Sequence, residues 1–252
     1  MHKLRARQEG ESGGTAGTLA SSAYQAIRQD ILSGALPAGQ KLRIQQLCVR
    51  YGVGLSPMRE ALNRVSREGL ILHTELCGFR TAPVSVRELE ELTKTRCWVN
   101  EIALRQSIAN GDQAWEESIL LAFHRLSRTP RFVANNHPSP AWGVAHRTFH
   151  SCLIAACGSS YLVNFCEQLF DAAERYRNIF RAENTRIERI DEHRVLLDAA
   201  LSRDQDRAVE LLNEHCKRTA ALSREAVARL EAAERQNSRP APRRIRKKEE
   251  VI

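Results

Sequence analysis

Residues 42–65 read LRIQQLCVRYGVGLSPMREALNRV, and this run decides the fold of the first third of the chain. From Leu42 to Tyr51 apolar residues recur at helical spacing, and Gly52-Val53-Gly54 breaks the pattern. Ser56-Pro57 then offers an N-cap and a proline at the first helical position ahead of Met58 to Val65, which predicts helix, glycine turn, helix. Upstream, Tyr24, Ile27, Ile31 and Leu32 fall on one helical face starting at Ser21, and Gly34 with Pro37-Ala38-Gly39 ends it. Downstream of Gly69, Leu70 to Thr74 and Phe79 to Ala82 predict two short strands around Glu75-Leu76-Cys77-Gly78. A strand pair after a helix-turn-helix is a wing, so residues 21–83 are expected to form a winged helix-turn-helix.

Such a module reads double-stranded DNA. Its second helix lies in the major groove with N-terminal residues at base edges, while nearby cations meet phosphate. Arg59 near the start of that helix can reach guanine or phosphate, and Ser56 stands beside it. Arg43, Arg50, Arg64, Arg67 and Arg80 are candidate backbone contacts, and Gly78 allows close approach of the wing tip.

The charge distribution agrees. The 252 residues carry a formal +8, which divides into +1 over residues 1–20, +4 over 21–85, −1 over 86–235 and +4 over 236–252. A near-neutral body is thus flanked by a basic module and a basic tail, as expected of a polyanion-binding unit on a neutral partner domain. The polar segment 1–20 and the tail 236–252 bury little and are expected to be disordered, the tail serving for solubility or for nonspecific phosphate contact. No apolar leader or membrane span is expected, which predicts a cytoplasmic protein. Seven scattered cysteines without a C-x-x-C pair predict reduced, mostly buried thiols.

Residues 84–235 read as helix throughout. Ser85 caps a long helix that ends near Asn110-Gly111-Asp112, and further helical patterns cover 113–127, 139–156, 160–182, 184–202 and 205–234. Six helices with short links predict an all-α antiparallel bundle, with Trp98 and Tyr176 in its core. The chain as a whole is expected to be mainly α. His146 and His150, four apart, share a helix face and can share a metal, while His193 and His215 lie on two further helices. Spacing alone does not bring the three helices together.

The blocks Leu36-Pro37-Ala38-Gly39, Tyr51-Gly52-Val53, Pro57-Met58-Arg59-Glu60-Ala61-Leu62 and Glu68-Gly69-Leu70-Ile71 resemble the winged helix of GntR-type bacterial transcription regulators. Many relatives carry Ser-Arg before the proline, where this chain has Leu55-Ser56, so weight shifts to Arg59 as base reader. His146-Arg147-Thr148-Phe149-His150, Glu192-His193-Arg194 and Ala208 to His215 resemble the metal-binding signature of the FCD effector domain. The resemblance covers about residues 20–235 and implies a divalent metal ion held by His146, His150, His193 and His215. His146 stands where a carboxylate is usual, which leaves a neutral, nitrogen-rich set suited to Zn or Ni. Further blocks, including Gly111-Asp112-Gln113-Ala114-Trp115-Glu116 and Ala173-Glu174-Arg175-Tyr176-Arg177, are similar to the glutarate-sensing repressor branch. That likeness implies a small carboxylate effector, possible anion contacts from Arg96, Arg175 and Arg177, and a homodimer on two operator half-sites.

A metal-dependent hydrolase using the His cluster is the rival from another class. No H-E-x-x-H is present and no general base is positioned beside the ligand helices, so a regulator without catalytic residues is the expected function. A DNA-coating structural protein fits the charge and leaves the neutral domain without a role.

Overall fold

The computed structural model describes residues 13–75, 78–134, 139–183 and 192–237. Its first unit comprises α1 (Gly13–Ser33), β1 (Lys41–Leu42), α2 (Ile44–Tyr51), α3 (Leu55–Arg67), β2 (Ile71–Thr74) and β3 (Gly78–Thr81). The sheet order is β1-β3-β2, antiparallel throughout, with Leu42 opposite Phe79 and Ile71 opposite Thr81. Ile27 and Ile31 of α1, Leu47 of α2, Met58, Leu62 and Val65 of α3, and Phe79 of β3 form one buried core. Packing of three amphipathic helices on a small sheet is what a winged helix-turn-helix requires.

Three details depart from the sequence expectation. Helix α1 begins at Gly13, inside the segment expected to be disordered, because Ala20 and Ala23 extend its buried face one turn upstream of Tyr24 and Ile27; residues 1–12 lie outside the described part. Helix α3 begins at Leu55 with Gly54, not Ser56, at the N-cap. Pro57 has no N–H, so Met58 is the first donor and reaches the Gly54 carbonyl at 3.1 Å, setting the helix start there. Strand β1 was not expected, since two residues carry no periodicity and become a strand only by pairing with β3.

The second unit is α4 (Val86–Asn110), α5 (Gln113–Arg128), α6 (Pro140–Ile154), α7 (Ser160–Glu183), α8 (Glu192–Leu201) and α9 (Gln205–Asn237). Ser85, Asp112 and Ser139 cap α4, α5 and α6 through side-chain oxygens that accept from the backbone N–H three residues on. Leu104, Ile108, Ile119, Phe149, Leu153, Leu196 and Leu197 sit at the centre of the bundle. Tyr176 is buried as expected, whereas Trp98 is 58% exposed. The buried stripe of α4 runs through Arg96, Cys97, Asn100, Ala103 and Leu104, and Trp98 lies off it. The six cysteines among the described residues are free thiols. Helix α9 runs on to Asn237, past the expected start of the tail, and residues 238–252 lie outside the described part.

The two units meet along α7. Asp171 pairs with Arg28 of α1, and Asn178 Nδ2 donates to the Leu32 carbonyl at 2.6 Å. Val84, Leu89, Tyr176 and Val227 close an apolar seam behind the connecting segment. No helix among the described residues is long and apolar enough to cross a membrane.

Candidate DNA-reading face and metal centre

Burial of Met58, Ala61, Leu62 and Val65 fixes the rotation of α3, so Leu55, Ser56, Arg59, Glu60 and Asn63 face outward. Arg43, at the N-cap position of α2, and Arg80, on β3, are exposed as well. Gly78 has φ +78° at the start of β3, and a Cβ there would meet nothing within 4 Å, so backbone conformation rather than space calls for glycine. Arg50 and Arg64 are engaged within the protein: Arg50 pairs with Asp30 at 2.5 Å, and Arg64 donates to Ser21 Oγ and lies over the Tyr24 ring. The outward stripe of α3 therefore presents Ser56, Arg59 and Asn63 as exposed polar groups. Asn63, one turn beyond Arg59, was not singled out from sequence because only the observed helix rotation separates it from Arg64.

In the bundle, α6 brings His146 and His150, α8 brings His193 and α9 brings His215, and their ligand atoms all lie within 4.8 Å of one another. Trp142 stacks on His146 with ring centroids 4.6 Å apart, and Phe149 and Phe170 wall the cluster, so it is largely dry. Burial holds His146 and His150 well below the ordinary imidazole range and pushes His193 down to about 2; neighbouring cations and imidazoles add to the effect. These three rings are thus neutral at pH 7 and able to ligate.

The hydrogen bonds fix which nitrogens are available. Arg177 Nη1 lies 2.9 Å from His146 Nδ1, and because a guanidinium only donates, that nitrogen accepts and the ring proton sits on Nε2. His146 Nε2 is 3.1 Å from His150 Nε2, which it then donates to. His215 Nδ1 donates to Glu192 Oε2 at 2.8 Å, leaving Nε2 with its lone pair free. His193 Nε2 is buried without a partner. An orphaned imidazole nitrogen, a carboxylate-oriented imidazole and two more rings within reach fit a divalent cation.

Matches to known proteins follow the same division. Residues 19–78 match bacterial regulatory proteins of the gntR family, and residues 91–218 match the FCD domain. This chain belongs to the GntR family. It is 36% identical over 213 residues to the uncharacterized HTH-type transcriptional regulator BphR of Paraburkholderia xenovorans, covering 82% of this chain and 86% of that protein. It is 34% identical over 197 residues to the HTH-type transcriptional repressor GlaR of Escherichia coli, covering 76% and 90%. A GntR regulator structure from Rhodococcus shares the fold at TM-score 0.64 and 19% identity, covering 82% of this chain and 97% of that one. This GntR protein is accordingly a DNA-binding transcriptional regulator and not a hydrolase.

Of the three arginines expected near an effector, two border the His cluster of this GntR regulator. Arg177 touches His146 and pairs with Glu174 at 2.5 Å. Arg96 lines a cavity of about 20 Å³ with His150, Asn100 and Phe170, and its Nε is buried without a partner. Arg175 lies elsewhere: its guanidinium donates to the Ala82 and Pro83 carbonyls in the connecting segment. Tyr176 and Arg177 lie one and two positions beyond Arg175, so they leave α7 about 100° and 200° round from it, which a likeness in sequence does not resolve. A larger groove, about 620 Å³, runs along α4 and α9 between Lys94, Trp98 and Arg224. It opens on the outer surface and presents none of the four histidines.

Proposed function

We propose that this GntR regulator is an operator-binding repressor, released when a small carboxylate binds at a divalent metal, Zn or Ni, in the helical bundle. The observation that carries the reading is a metal-competent set of four imidazoles, three of them held neutral by burial, with no carboxylate among the ligands and bordered by the cations Arg96 and Arg177. A divalent ion there would keep its charge uncompensated and coordination positions open, which supplies the attraction for an anionic oxygen. Arg96, whose buried Nε has no partner, would fork a second carboxylate of a C5-like diacid, and Arg177 would turn from His146 towards the first.

The cavity beside His150 and Arg96 is about 20 Å³, room for about one water. A dicarboxylate is several times larger, so binding has to part α4, α6 and α7, and that displacement is the signal. On α7, Phe170 and Arg177 border the cluster while Asp171 and Asn178 hold the winged helix. Arg147, next in sequence to His146, also pairs with Asp171. Movement of α6 or α7 is thereby passed to α1 and to the position of α3. Two winged helices on a homodimer would then fit or miss two operator half-sites.

The test is operator affinity of metal-loaded protein against a panel of C4 to C6 dicarboxylates. The expected coupling is about 1–3 kcal/mol, a 5- to 150-fold loss of operator affinity with the cognate diacid. Unchanged affinity across the panel, with metal bound, would refute the effector half of the proposal.

A further inference from the structure

The first residue of the reading helix is apolar and uncovered. Leu55 is 56% exposed, and the residues on either side of the turn before it, Gly52 and Gly54, have no side chains to shield it. The buried face of α3 fixes its rotation, so Leu55 shares the outward surface with Ser56 and, one turn on, Arg59. In a helix-turn-helix the N-terminal residues of the second helix meet the base edges of the major groove.

A leucine side chain can neither donate nor accept. Against guanine or adenine it strips water from N7 and from O6 or N6 and gives nothing back, which costs free energy. Against cytosine it desolvates an amino donor. Thymine alone presents an apolar group in that groove, the C5 methyl. We propose that Leu55 reads a thymine methyl in each operator half-site and excludes guanine from that position. This inference rests on the operator-binding function above. Leu55 and Arg59 are about 6 Å apart along the helix axis, so the thymine lies about two base pairs from the base or phosphate met by Arg59.

The experiment first selects operator sequences with the full-length, metal-loaded protein, then replaces each half-site thymine singly by deoxyuridine, which removes only the methyl. One position per half-site is expected to lose about fourfold in affinity, the factor for one methyl-sized group buried. In Leu55→Ala that sensitivity disappears. Leu55→Arg shifts the preference at the same position from thymine to guanine. Val49→Ala is the control: Val49 is 85% exposed on α2, the helix that crosses the backbone, and its loss leaves the thymine sensitivity in place. If no thymine is sensitive in an otherwise specific operator, or if Leu55→Ala is equally sensitive, the inference is overturned while the DNA-reading function stands. If selection enriches no sequence at all, that function fails first. Leu55 is on the surface, so both variants are expected to fold.

Discussion

At the residue scale, proton placement ranks the four imidazoles. His193 Nε2 has no partner to lose and His215 is already oriented by Glu192, whereas His146 can ligate through Nε2 only if Arg177 releases Nδ1 so that the ring proton moves there. His193→Ala and His215→Ala are expected to abolish stoichiometric metal binding, and His146→Ala to retain it with affinity reduced about tenfold or less, read by elemental analysis after dialysis. Equal loss in all three variants would show that His146 ligates on a par with His193 and His215. A pH effect follows from the same burial. His146, His150 and His193 have folded pKa values below the unfolded value of about 6.5, so the unfolded chain takes up protons first as pH falls. Chelator-stripped protein is therefore expected to lose about 1 kcal/mol per pH unit per ring below pH 6.5, and a flat Tm between pH 7.5 and 5.5 would contradict it. The i, i+4 pair on α6 was legible in the sequence. Convergence with α8 and α9 was not, because it depends on distances between helices, and the Glu192 and Arg177 contacts that set the tautomers depend on it too.

At the element scale, α7 does two things at once. Its Arg177 and Phe170 border the cluster, and its Asp171 joins Arg28 of α1 to Arg147 of α6 in a partly buried network. Removing the charge with Asp171→Asn leaves two guanidinium groups without their shared partner, so a cost of about 2 kcal/mol is expected in denaturant unfolding. Metal content should stay unchanged while the ratio of operator affinities without and with effector falls towards one. An undiminished ratio would place the coupling elsewhere, for example in the Arg175 contact with Ala82 and Pro83. The long helices around this network were readable because capping residues and 3.6-residue periodicity agree at Ser85, Asp112 and Ser139. What escaped were elements defined by partners rather than by pattern. Strand β1 exists through β3, and the early start of α1 rests on two alanines too small to register as a stripe.

At the scale of the whole molecule, net charge is divided unevenly between the two units. The excess positive charge of the described part belongs to the winged helix, and the near-neutral bundle instead exposes Trp98 and Ile102 one turn apart on α4, at 58% and 56%. Lys94 lies over the Trp98 ring, and the 620 Å³ groove runs beside them. The two half-sites of the proposed reading would call for two winged helices, and a bundle with no strong charge of its own is the part able to pair with a copy of itself without repulsion. This surface is the proposed homodimer contact. Burying an indole and an isoleucine side chain contributes about 3 kcal/mol or more, so Trp98→Glu is expected to raise the dimer dissociation constant at least about 100-fold. Sedimentation at micromolar concentration should then show monomer, with metal content and helicity retained because Trp98 contributes nothing to the buried core. Operator affinity should fall with it, since a single winged helix keeps only one half-site, and a half-site fragment should bind the variant and the parent alike. A variant that stays dimeric would exclude this face. One that becomes monomeric yet binds the full operator undiminished would instead refute the need for two half-sites.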